Sequence, residues 1–165
     1  MEAPARAEWR TNMAIILSGE YTLPVKREDV YAALNDPQIL RKCIPGCEDL
    51  EQRDDGVFAA VVRLELGPLK TRFRGKVKLE DQDPPNGYRI SGEGDGGIAG
   101  FARGGALVKL ASNEDGGTLL SYEADANVNG KIAQLGQRLI ASTSKKIADR
   151  FFENLQTSLR EDKRA

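Results

Sequence analysis

A change of hydrophobic period near residue 130 governs how this chain can fold. Between residues 48 and 128 apolar side chains recur at every second position. In LKTRFRGKVKLED, one face carries Leu69, Thr71, Phe73, Gly75, Val77 and Leu79, and the other carries Lys70, Arg72, Arg74, Lys76 and Lys78. From Lys131 to about Glu161 the period becomes helical. Ile132, Leu135, Leu139, Ile140, Ile147, Phe151, Leu155 and Leu159 form one stripe there, roughly 45 Å long at about 1.5 Å per residue. Strands of period two present a single apolar face, and that face needs a cover. The terminal helix is the element long enough to supply it.

The remaining segments fit this frame. IILSGEYTL places Ile15, Leu17, Gly19, Tyr21 and Leu23 on one face of a strand that Pro24 ends. VKREDVYAALNDPQILRKCIPG reads as two short helices. Asn35 or Asp36 caps the second, Pro37 takes its first position, and Pro45-Gly46 stops it. Leu40 and Ile44 belong to this second helix and its end. Asp55-Gly56 and Asp115-Gly117 are hairpin turns. Phe58, Val62 and Leu64 share an inward face, as do Tyr88, Ile90, Gly92 and Gly94, and then Leu120, Tyr122 and Ala124. The predicted class is α+β, a strongly curved antiparallel sheet of about six to seven strands gripping a long C-terminal helix, with two short helices after the first strand.

Composition narrows the chemistry. The chain has 165 residues and no histidine, which removes the usual general base near neutral pH and the commonest metal ligand. Its two cysteines, Cys43 and Cys47 in CIPGC, are too few for a four-ligand zinc site, and no metal site is expected. Residues 1–12 lack an apolar signal core and read as a loose polar lead-in, so a single domain is expected over 13–162. No run of about 18 apolar residues is present. A cytoplasmic location with reduced thiols is the expectation. The net charge of −1 provides no bulk attraction to nucleic acid, and no nucleic-acid partner is expected.

ISGEGDGGIAGFARGGALVKL, residues 90–110, contains a GxGxxG match at Gly92, Gly94 and Gly97. A dinucleotide loop requires a helix directly after the glycines; here another alternating strand follows. Two readings remain. The glycines permit tight bends of a curling sheet, or a flexible Gly97–Gly105 connection carrying Ile98 and Phe101 acts as a lid over a pocket.

SGEYTLPVKREDVYAALNDPQILRKCIPGCEDLE (residues 18–51), GEGDGGIAGFARGGALVKL and VNGKIAQLGQRLIASTSKKIADRFFENL (residues 128–155) resemble the CoxG family of carbon monoxide dehydrogenase subunits. The resemblance spans about residues 13–160. It implies the START-like, or SRPBCC, helix-grip fold, whose members enclose a hydrophobic cavity. It also implies an accessory, non-catalytic partner of a molybdenum-containing carbon monoxide dehydrogenase or related hydroxylase, acting at the membrane toward quinone. Many members of that family carry a C-terminal extension suited to membrane attachment; this sequence stops at EDKRA.

The leading expectation is a carrier for an apolar small molecule, a quinone or another isoprenoid lipid, with no covalent cofactor. Tyr21, Tyr88 and Tyr122 are candidate polar handles, or else core. The candidate walls are Leu40, Ile44, Phe58, Val62, Leu64, Phe73, Ile90, Ile98, Phe101, Leu120, Leu135 and Leu139. The stripe Lys70, Arg72, Arg74, Lys76 and Lys78 is either a solvated face or a dock for an acidic partner or anionic headgroups at the cytoplasmic face of the membrane. A docking or maturation factor with a packed core is the alternative. A cyclase- or hydrolase-type enzyme is less expected, because parity turns Glu20, Glu65, Glu93, Glu123 and Asp125 outward.

Overall fold

The computed structural model describes residues 13–164, so the lead-in expected over residues 1–12 lies outside the described residues. Along the chain come β1 (Met13–Leu23), α1 (Arg27–Leu34), α2 (Pro37–Cys43), β2 (Cys47–Gln52), β3 (Phe58–Leu66), β4 (Leu69–Asp83) and β5 (Gly87–Asp95). A 3-10 turn (Gly97–Ala99), β6 (Phe101–Ser112), β7 (Thr118–Asn129), α3 (Lys131–Gln134) and α4 (Gln137–Arg164) follow. The strands form one curved antiparallel sheet in the order β1-β7-β6-β5-β4-β3-β2. The expected helix-grip architecture is therefore present.

Local chemistry sets the junctions. The Asp36 carboxylate accepts from the Gln38 backbone N–H at 2.9 Å, and Pro37 opens α2. Asp55 Oδ1 accepts from Val57 N at 3.0 Å, closing the β2–β3 turn beside Gly56 at φ 84°. The terminal helix differs from expectation. It is interrupted at Gly136, whose φ of 93° is left-handed. That conformation ends the single turn of α3, and α4 starts at Gln137.

The buried core is divided. One cluster holds Leu23, Val30, Leu34, Tyr88, Val108, Leu110, Leu120, Leu155 and Leu159. The other holds Ile15, Leu66, Phe73, Ala99, Val128, Ile132 and Ile140. Helix α4 reaches both, through Ile140 at its start and Leu155 and Leu159 near its end. Between Ile140 and Leu155, about 22 Å at 1.5 Å per residue, its inward stripe of Ser144, Ile147, Ala148 and Phe151 stays half-buried. Leu155 is fully buried. Truncation by Leu155→Ala is expected to lower the unfolding free energy by about 2–5 kcal/mol, while exposed Arg150→Ala changes it by less than about 0.5 kcal/mol, both read by denaturant unfolding.

Candidate functional site: a trough between sheet and helix

Register places a band of small side chains across the concave face. Ala60, Gly75, Gly94 and Ala102 are successive cross-strand partners on β3, β4, β5 and β6. The next row runs Phe58, Val77, Gly92, Gly104 and Ala126. A third runs Leu79, Ile90, Ala106, Ala124 and Leu17. All but Phe58 are half-buried although they face inward. Val62, Val77, Ala106, Ala124 and Ala126 join neither core cluster. A Cβ placed at Gly75 meets the Glu93 carbonyl oxygen at 3.3 Å, and one at Gly94 meets the Phe73 ring at 3.7 Å. No described atom of α4 lies within 4 Å of either position. The helix approaches the sheet most closely at β1 and β3, and its aliphatic packing on the central strands lies toward its two ends, through Ile140 in one cluster and Leu155 and Leu159 in the other. Three rows about 6.7 Å apart over strands spaced about 4.8 Å give a trough of roughly 13 by 19 Å.

An aromatic cluster borders the trough on the β1 side. Tyr21 stacks on Phe152 of α4 with ring centroids 4.1 Å apart and lies 6.3 Å from Tyr122. The Tyr122 ring lies against Gly19, where a Cβ would sit 2.8 Å from the ring. The Tyr21 hydroxyl donates to Asp149 Oδ1 at 2.5 Å, and Lys145 Nζ lies 3.0 Å from the other carboxylate oxygen. Burial, then the bond to Asp149, pushes the Tyr21 hydroxyl well above the usual tyrosine range. The Tyr21 hydroxyl and then Lys145 hold the Asp149 carboxyl below its ordinary value. This bond ties β1 to α4 at the helix midpoint.

The structure sorts the expected wall residues into three groups. Phe58, Phe73, Tyr88 and Leu120 are buried packing. Tyr88 meets Tyr31 edge-on at 5.6 Å, and burial raises its pKa. Tyr21, Leu40, Ile44, Val62, Leu64, Ile90, Tyr122, Leu135 and Leu139 are half-buried. Leu135 and Leu64 pack against the second core cluster, and Leu139 touches Gly67 in the β3–β4 turn. Ile98 and Phe101 are corrections. Ile98 is 83% exposed and points away from the protein, because its neighbour Ala99 takes the inward position. The bend at Gly100, φ 124°, starts β6 so that Ala102 faces inward and Phe101 faces out. Arg103 lies over the Phe101 ring at 5.8 Å on that outer face. The segment 101–105 is paired strand rather than a lid.

The basic stripe is exposed, as parity required, and interleaved with carboxylates. Arg72 meets both oxygens of Glu48, at 2.7 and 3.4 Å. Lys70 stands opposite Glu65, Lys76 opposite Glu93, and Arg74 opposite Asp95. Most of this stripe is a solvated, partly neutralised face. A hollow of about 500 Å³ also opens on the convex face around Leu107, Lys109 and Ser121, with a mixed rim of Asp81, Asp83 and Arg89. It does not connect sheet to helix.

The family model of CoxG, a carbon monoxide dehydrogenase subunit, matches residues 19–160. The chain belongs to the CoxG family. A conserved protein from Geobacillus kaustophilus shares 30% identity at a TM-score of 0.84, covering 89% of this chain and 96% of its own. Ara h 8.0201 shares 18% identity at a TM-score of 0.62, covering 90% and 99%. The Zhui aromatase/cyclase from a Streptomyces species shares 11% identity at 0.67, covering 93% and 98%. The last two likenesses show the START-like fold alone. No curated protein matches the chain in sequence.

In this CoxG-family chain, sequence reasoning missed Gly75, Ala102, Gly104, Ala106, Ala124 and Ala126 as a set. Each sits on a recognisable inward face. Their adjacency appears only when the strands are aligned. Asp149 was missed because its partner, Tyr21, lies 128 residues away. In Tyr21→Phe the Asp149 titration, followed by side-chain carboxyl NMR, is expected to move up toward the ordinary carboxylate value. A depressed native pKa gives stability that is complete above the unfolded-state value and lost as pH falls through the native one. Acid unfolding of Tyr21→Phe is therefore expected to begin at a higher pH than in the parent protein.

Proposed function

We propose that this CoxG-family protein is a non-catalytic carrier. It holds an apolar small molecule, a quinone or isoprenoid lipid, in the trough between the sheet and α4. It serves a molybdenum-containing carbon monoxide dehydrogenase or related hydroxylase and connects it with quinone at the membrane. The observation that carries this reading is the divided core: eight glycine and alanine residues on β4–β7 face inward, and no described atom of α4 comes within 4 Å of a Cβ placed at Gly75 or Gly94. An elongated apolar ligand completes the core that the protein leaves open. At about 25 cal/mol per Å² of buried apolar surface, a prenyl tail contributes several kcal/mol, about the scale of a useful reversible carrier.

Tyr122 and the Tyr21–Asp149 pair stand where a ligand's polar head is met, with Phe152 as a flat neighbour. Leu64, Leu135 and Leu139 line the opposite end. A docking factor with a closed core is disfavoured by the same trough. Catalysis is disfavoured by the titratable groups described at its border, Tyr21, Tyr122, Asp149 and Lys145, of which the carboxylate is already bonded to Tyr21 and Lys145. Among the described residues no three of His, Cys, Asp and Glu gather as a metal site.

Native mass spectrometry with organic extraction tests the reading. One apolar molecule per chain, co-purified or taken up from added quinone, is the expected result. A Cβ at Gly94 makes only an ordinary contact, 3.7 Å to the Phe73 ring, so Gly94→Leu is expected to fold and to lose affinity by about tenfold or more, roughly 1.4 kcal/mol. Equal uptake by parent and variant, or none by the parent, contradicts the assignment.

A further inference from the structure

Two large apolar side chains are strongly exposed among the described residues, Ile16 at 81% and Ile98 at 83%. Ile16 lies within the outer face of β1. Ile98 stands at the tip of the 3-10 turn, and that turn is braced. Asp95 Oδ1 accepts from Gly97 N at 2.8 Å, and the Thr71 hydroxyl donates to the Gly96 carbonyl at 3.2 Å. Ala99 is buried in the core beneath. Gly97, at φ 63°, and Gly100, at φ 124°, let the chain turn sharply enough to hold Ile98 outward.

Three neighbouring elements bring cations to the same end. Gly100 packs against Asn129 and Gly130, which places the start of α3 and exposed Lys131 beside the turn. Thr71 joins the turn to the start of β4, where exposed Pro68 and Lys70 lie. Leu139 against Gly67 brings in the first turn of α4, with exposed Arg138. The carboxylates nearby are Glu65, opposite Lys70, and Asp95, engaged with Gly97 N. One end of the molecule thus carries an exposed aliphatic tip and three exposed cations.

We propose that this end docks on an anionic lipid bilayer, with Ile98 entering the headgroup boundary while Lys131, Arg138 and Lys70 meet lipid phosphates. A single aliphatic tip makes a poor anchor for a protein interface. It suits shallow, reversible membrane contact, where each nearby cation adds attraction to anionic lipid. The surface stands on its own geometry; its use for exchanging ligand with the bilayer rests on the carrier reading.

Co-sedimentation with vesicles of phosphatidylcholine, alone or mixed with phosphatidylglycerol, tests the proposal. Binding to the mixed vesicles only, weakened by salt, is expected. Ile98→Asp and the double variant Lys131→Glu/Arg138→Glu are expected to lose binding by about tenfold or more, roughly the effect of two cations. Ile16→Asp and Lys78→Glu, elsewhere on the sheet, retain it. Ile98→Asp keeps quinone uptake from detergent solution, so loss of docking and loss of carriage are read separately. Equal binding to both vesicle types, or equal loss in the Ile16 and Lys78 controls, overturns the proposal. So does an Ile98→Asp variant that binds vesicles normally but no longer binds the dehydrogenase, which makes the surface a protein dock.

Discussion

A shortage of side-chain volume across the middle of the concave face shapes everything else in the molecule. A curved antiparallel sheet and a long helix ordinarily close on each other through large aliphatic residues. Here the helix is held at its two ends, by Ile140 in one cluster and by Leu155 and Leu159 in the other. Glycine and alanine occupy the central rows. Two firm contacts on a stiff helix about 40 Å long, at about 1.5 Å per residue, leave a bridge rather than a lid. The inward residues below it remain open to solvent.

The polar groups sit where this bridge is weakest. At the midpoint of α4, Asp149 bonds to Tyr21 on β1, and Phe152 stacks on the same ring. The helix therefore has a third attachment, made through charge and aromatic contact rather than aliphatic packing. Gly19 belongs to the same device, since a side chain there would displace the Tyr122 ring. At the opposite end Gly136 and Gly67 serve a related purpose. One interrupts the helix and the other admits Leu139.

Much of this is legible in the sequence because period and parity are local. Alternation assigns inward and outward faces along β3, β4, β5 and β7, including the exposed stripe of Lys70 to Lys78. The CIPGCE and GKIAQLGQRLI segments point to the CoxG family. What fails to show is non-local or turns on a single residue. Phe101 reads as part of a lid because the glycines from Gly97 to Gly105 hide the strand that starts directly after Gly100. Gly136 disappears into one helix because a stripe of apolar residues continues on both sides of it. The trough is visible only in part, at Gly92 and Gly94, because its other small residues become neighbours through pairing of strands far apart in sequence.

A ligand whose apolar surface occupies the space the core leaves open must bind in proportion to the surface it brings. Calorimetric titration with a series of quinones of increasing prenyl length measures this. Affinity is expected to rise with each added isoprene unit and then level off once the trough, roughly 19 Å long by strand spacing, is filled, with a negative heat-capacity change throughout. Affinity independent of tail length, or binding without a heat-capacity change, would contradict the carrier reading.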